Sequence, residues 1–250
     1  MTSRRAFLAS VAAVPAAASL FKKNGLSNEF FAMDPAMVDT AGHPPPPSTI
    51  NVLAELHYKG ATMDVGNDLS WKYLMEQILP QIEKDGLKLY GAYSWVHIGR
   101  DHFEIDPGIS ANIAALQTSG AAIWLPITSK EFKPSDAAGD DLVAAAVRQI
   151  SDEAQKYGLP VVLYPHFGNL IQRVADAARI CEKVNRPNVG LTFNLCHWLR
   201  ADGPDSLHRV MAIAAPHLRL VTINGADRDG HDWDRLIQPL DSGTYDVGLV

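Results

Sequence analysis

Cysteine is scarce in this chain: Cys181 and Cys196 are the only two among 250 residues. Two cysteines cannot build a disulfide framework, and nothing resembles a Cys-rich zinc site. Cys181 falls in a helical pattern and Cys196 at the end of a strand pattern, so two buried free thiols are expected. Long basic runs are missing outside the N-terminus, and the formal net charge is −6. A general nucleic-acid binder needs a basic stripe to displace counterions, so that class is set aside. A membrane span is also missing: the apolar stretch from Ala6 to Leu20 is short, rich in alanine and broken by Pro15. No Gly-rich fingerprint follows the first strand pattern, which weakens a dinucleotide-binding fold.

The first residues instead carry an address. Ser3-Arg4-Arg5-Ala6-Phe7-Leu8 is a twin-arginine pattern, followed by the apolar stretch and a small-residue stop at Ala16, Ala17 and Ala18. Such a signal is read by a receptor and is not an anchor. It predicts a leader over residues 1–18, a linker over 19–28 and export to the periplasm as an already folded protein. Residues 29–250 are then the domain. The chain's 47% hydrophobic content suffices for one large core.

Within that domain a beat repeats: an apolar run, a loop, an amphipathic stretch. Strands are expected at Phe30–Met33, Ala61–Asp64, Leu87–Trp95, Ala121–Ile127, Leu159–Tyr164, Val189–Phe193 and Leu218–Ile223. Helices are expected between them, at about Ser48–Tyr58, Leu69–Asp85, Pro107–Thr118, Asp140–Tyr157, Asn169–Asn185 and Asp205–Ala215. Gly86 and Gly158 suit left-handed helix stops, and Asp140 and Asp205 suit N-caps. Nearly continuous apolar strands alternating with helices predict a parallel sheet covered on both faces. Seven such units predict a (β/α)8 TIM barrel that is C-terminally incomplete, because the chain stops where a further helix begins. A seven-stranded barrel ending naturally is the alternative.

In a parallel barrel, function collects where strands run into their following loops. The fifth, sixth and seventh strands here end in Tyr164-Pro165-His166, Thr192-Phe193-Asn194-Leu195-Cys196-His197-Trp198 and Thr222-Ile223-Asn224. Residues alternate sides along a strand, so Tyr164 with His166, Thr192 with Asn194, and Thr222 with Asn224 share a side. Leu163, Phe193 and Ile223 between them suit the helix-facing layer. Any one of these polar residues alone reads as structural, a satisfied His or a turn-capping Asn. Three strands doing the same in register read as a site. His197, read as lying just past the strand, can swing into the same mouth.

Imidazoles act as general acids and bases or as metal ligands. Asn amides orient sugar hydroxyls or coordinate weakly. His166 and His197 are the catalytic candidates. Asn194, Asn224, Tyr164, Trp95 and Trp198 are the substrate-binding candidates, with Trp124 a weaker one; a flat ring suits the apolar face of a sugar. His166, Asn194, His197 and Asn224 also form a candidate site for a divalent metal (Mn, Mg or Zn). Hard ions want carboxylates, and the nearest are Asp227, Asp64, Glu131 and Asp101.

The runs Tyr164-Pro165-His166, Phe193–Leu199, Val221–Asp227 and Leu236–Asp241 resemble the sugar phosphate isomerase/epimerase family, with its xylose isomerase-like barrel. More narrowly they are similar to an exported bacterial branch with a twin-arginine leader. The resemblance runs from about residue 28 to the end. It implies a divalent metal held by a Glu, an Asp with a His three residues on, a further His and a last-strand Glu. Here His166 stands at the first position, Asn194 with His197 at the second and third, and Asn224 at the fourth. The last strand is not in the chain. The resemblance thus implies an isomerase or epimerase moving a proton beside a carbonyl of a sugar or keto-sugar. A lyase or hydratase acting on an oxidised glycoside uses the same step. A non-catalytic sugar-binding barrel is favoured by the lost carboxylates. A metal-dependent endonuclease of this fold is opposed by the acidic balance and the leader.

Overall fold

The computed structural model describes residues 28–33, 46–64 and 68–250. The expected leader and almost all of the linker lie outside these residues. The chain divides into two compact units, one ending at Ala92 and the other spanning Tyr93–Val250.

The first unit holds β1 (Phe31–Met33), α1 (Pro47–Glu55), β2 (Gly60–Asp64), α2 (Asp68–Tyr73), α3 (Leu79–Lys84) and most of β3 (Lys88–Tyr93). β1 and β2 run parallel, with Phe31 opposite Gly60 and Met33 opposite Thr62. β3 is next in the sheet. Gly60 is required there by close approach: a Cβ would stand 1.8 Å from the Lys88 carbonyl oxygen. The helix expected over Leu69–Asp85 is interrupted. Residues Leu74–Ile78 form a π segment just before Pro80. Proline lacks an N–H and crowds the carbonyl four residues back, which forces the looser turn. Ile50, Leu53, Leu74, Ile78 and Ile82 are buried from these helices.

The second unit contains β6 (Ala122–Leu125), β8 (Val161–Leu163), β9 (Val189–Asn194) and β10 (Leu218–Thr222), all parallel and adjacent in chain order. The helices α4 (Ile109–Ala115), α5 (Asp140–Gln155), α6 (Val174–Val184), α7 (Leu195–Asp202), α8 (Leu207–Ala214) and α9 (Trp233–Leu236) complete the alternation. Every residue of β6, β8 and β9 is buried, as a parallel strand covered on both faces requires. With the three strands of the first unit, the described residues hold seven parallel strands of a (β/α) barrel, as expected.

The element boundaries bring corrections. Leu195–Trp198 do not prolong β9; they open α7. Asn194 keeps extended angles (φ −121°, ψ 119°) and its side chain accepts from the His197 amide, so the chain turns into a helix at that residue. α6 starts at Val174, not Asn169, because the Asp176 carboxylate accepts from the amides of Gln172 and Arg173. Asp140 is not a cap: it lies inside α5 and pairs with Arg179 at 2.7 Å. Asp205 sits in a 3-10 turn (Pro204–Ser206) and pairs with Arg228. A second small sheet went unforeseen: β4 (Val96–Ile98) lies between β5 (Phe103–Ile105), antiparallel, and β7 (Ile127–Ser129), parallel. Gly86 and Gly158 adopt positive φ, 66° and 70°, as their helix-stop places demand. Both cysteines are buried and free, and burial pushes each thiol up to about 12. Among the described residues no helix is long and apolar enough to cross a membrane.

Candidate functional site

The floor of the site is aromatic and belongs to the second unit. Tyr93 stacks on Trp124 with centroids 4.7 Å apart, and Tyr164 meets both rings edge-on at 5.4 and 5.0 Å. The Trp124 indole N–H donates to the Thr192 hydroxyl at 2.6 Å, tying β6 to β9. Trp124 is fully buried, so its ring is core.

Asn194 organises what stands on that floor. Its amide nitrogen donates to the Tyr164 hydroxyl at 2.7 Å. Its oxygen accepts from the Cys196 thiol at 3.1 Å and from the His197 amide at 3.2 Å. An amide oxygen has two lone pairs, and both are engaged. Asn194 therefore positions the first turn of α7, and with it His197.

His166 and His197 meet with ring centroids 3.9 Å apart. His166 Nδ1 lies 2.9 Å from the Phe167 carbonyl oxygen. A carbonyl can only accept, so Nδ1 carries the hydrogen and Nε2 presents a bare lone pair. Burial holds the His166 pKa below the ordinary histidine value, against the pull of that carbonyl. His197 is buried, and its Nδ1 has no hydrogen-bond partner among the described residues. Desolvation, and then the neighbouring His166, push its pKa down to about 3. Near neutrality the site thus presents two uncharged imidazoles in contact.

A rim that the sequence reading missed surrounds this pair. Trp233 meets the His197 ring edge-on at 5.4 Å, and Phe167 lies 6.0 Å from Trp233. The Arg200 guanidinium is held between the two rings, 4.7 Å from Phe167 and 4.5 Å from Trp233. Arg200 also donates to the His231 carbonyl. Had Leu195–Asp202 been read as a helix, Arg200 would have fallen one turn beyond His197. Trp233 carries no such signal, since it reaches the site from α9, a four-residue helix after β10.

The remaining candidates lie elsewhere or are committed. The Asn224 amide donates to the carbonyls of Gly225 and Leu236, both at 2.6 Å, and so ties down the loop after β10. Trp198 is buried against Phe193 and Tyr245, with its N–H on the Ser206 hydroxyl. Trp95 is half-buried between β3 and β4. Of the carboxylates, Asp227 pairs with Arg235 at 3.2 Å, Glu131 with Arg100 at 3.3 Å and Asp101 with His102 at 3.0 Å. Among the described residues no three His, Cys, Asp or Glu side chains converge as metal ligands would. Two neutral imidazoles beside an amide oxygen already accepting twice do not fit the needs of a divalent ion.

Residues 110–248, more than half of the chain, match the family model described as xylose isomerase-like TIM barrel. Several solved structures share the fold. A 3-keto-D-glucoside 4-epimerase, YcjR, from E. coli is 16% identical with a TM-score of 0.61, over 83% of this chain and 84% of that one. The probable 3-DHS dehydratase AsbF from Bacillus anthracis is 11% identical with a TM-score of 0.63, over 84% and 77%. An IOLI protein with a binding zinc atom is 15% identical with a TM-score of 0.61, over 88% and 82%. No curated protein matches the chain in sequence.

Proposed function

The chain belongs to the xylose isomerase-like TIM barrel family, and from that premise we propose that it moves a proton beside the carbonyl of a sugar or keto-sugar, as an isomerase or epimerase. The carrying observation is the contact of His166 with His197, one with a bare Nε2 and the other with an unpartnered buried Nδ1. A buried nitrogen without a partner costs free energy, and a substrate hydroxyl or carbonyl would satisfy it.

The two rings suit different tasks. A pKa near 3 makes His197 a weak base, but a neutral imidazole remains a good hydrogen-bonding group. His166, less strongly perturbed, is the base: its Nε2 takes the proton from the carbon next to the carbonyl. The electron pair moves onto the carbonyl oxygen, giving an enediolate. The imidazolium then returns the proton to the neighbouring carbon for an isomerisation; an epimerisation takes its proton on the same carbon from the opposite face, from a second donor such as solvent. His197 orients the oxygen on which charge develops. Elimination from an oxidised glycoside shares the first step, and the likeness to a dehydratase structure supports that variant. The missing carboxylates favour a second reading, a sugar-binding barrel without turnover. The twin-arginine pattern supports a periplasmic setting.

The test is solvent-deuterium exchange into a panel of keto-sugars, followed by proton magnetic resonance. His166→Ala is expected to slow exchange by about 10²–10⁴ with the fold intact. Exchange at the full rate in that variant contradicts the assignment. Sugar binding with no exchange on any member of the panel favours the binding module.

A further inference from the structure

Arg200 has no carboxylate partner among the described residues, although ion pairs are plentiful elsewhere in this unit. The segment carrying Trp233 is acidic, with Asp227, Asp229, Asp232 and Asp234, yet none of these pairs with Arg200. Two aromatic rings hold the guanidinium instead. Such rings engage the flat face of the group and leave its N–H edge for hydrogen bonds. Among the described residues only Nη1 has a partner, the His231 carbonyl. The cation is therefore fixed in place with most of its donors still available.

Its position relates it to the imidazole pair. Arg200 is one helical turn beyond His197 on α7. Trp233 touches both residues, and Phe167 is the chain neighbour of His166. Independently, the Nδ1 of His197 is buried without a partner among the described residues, a group that a ligand would satisfy. We propose that Arg200 is the specificity-determining residue of this site, and that it selects sugars bearing an anionic group, carboxylate or phosphate, by binding that group at the rim. The inference rests on the reading of the imidazole pair as a sugar site. A guanidinium fork matches either anion in a bidentate way. The carboxylate of a sugar acid and the ester of a sugar phosphate are separated by the test.

Binding of D-glucose, D-glucuronate and D-glucose 6-phosphate to the full chain is measured by calorimetry, with C2 deuterium exchange followed in parallel. Glucuronate or glucose 6-phosphate is expected to bind at least about tenfold more tightly than glucose, the size of one charge-assisted bond. Preference for glucuronate identifies the carboxylate, and preference for the ester identifies the phosphate. Arg200→Gln is expected to abolish the preference, and Arg200→Lys to keep part of it. A thermal melt checks that both variants fold. If Arg200→Gln proves unfolded, the salt dependence of wild-type binding replaces it, and salt must weaken anion binding alone. Equal affinity for all three sugars, binding of none, or a preference that survives in folded Arg200→Gln overturns the proposal. Anion-selective binding without exchange leaves the anchor standing and counts instead against proton transfer at the imidazole pair.

Discussion

The proposed chemistry turns on the environment of single residues. His166 and His197 are in contact, but they differ in what surrounds them. One is half-buried with a carbonyl on Nδ1; the other is buried with an empty Nδ1. The consequence for stability has a definite sign. The pKa of His197 in the folded chain, about 3, lies below the ordinary histidine value of 6.5. Between these values the unfolded chain binds the extra proton. The contribution is therefore fully present above pH 6.5 and is lost as pH falls toward 3. The slope reaches about 1.4 kcal/mol per pH unit for one such group. His166 acts in the same direction. His197→Gln is expected to flatten the loss of stability between pH 6.5 and 5, above the range where carboxylates protonate. Urea denaturation of the two proteins across that range is the check, and parallel curves contradict the burial argument. Both histidines were legible in the sequence from strand parity and spacing. Their unequal environments were not, because burial is a property of neighbours that come from distant strands.

At the scale of elements, the turn from β9 into α7 decides where His197 points. Asn194→Ala removes the cap and the link to Tyr164 together, and is expected to cost about 1–2 kcal/mol. Asn194→Asp keeps an acceptor for the His197 amide and should cost less. Denaturant midpoints separate the two, and equal losses would mean that the cap contributes nothing. This element was misread from sequence for a physical reason. Leu195-Cys196-His197-Trp198 is a short apolar run, and a short run does not distinguish strand from helix. The helix depends on one side-chain hydrogen bond at its start. The small sheet of β4, β5 and β7 escaped for a related reason. Its strands are three residues each, and they pair in ways that no local pattern records. The longer elements were legible because their apolar period extends over many residues.

For the whole molecule, the twin-arginine pattern at the N-terminus gives a separate prediction. Changing Arg4 and Arg5 to Lys is expected to leave precursor in the cytoplasm, because the twin-arginine receptor reads that pair. Cell fractionation checks it, and unchanged export of the variant contradicts the reading. The sequence by itself determined the seven strands, most of the helices between them, the glycine stops and the two histidines that the fold brings together. Periodicity and turn chemistry are local, so they survive in one dimension. The tertiary structure alone decided which polar groups stand by the histidine pair and which are committed elsewhere. It committed Asn194 to capping, Asn224 to a loop and Trp198 to the core. It also brought Trp233 against His197, and Arg200, 33 residues before it, onto the Trp233 ring. A side chain's task depends on which partners reach it first, and packing brings those partners from elsewhere in the chain.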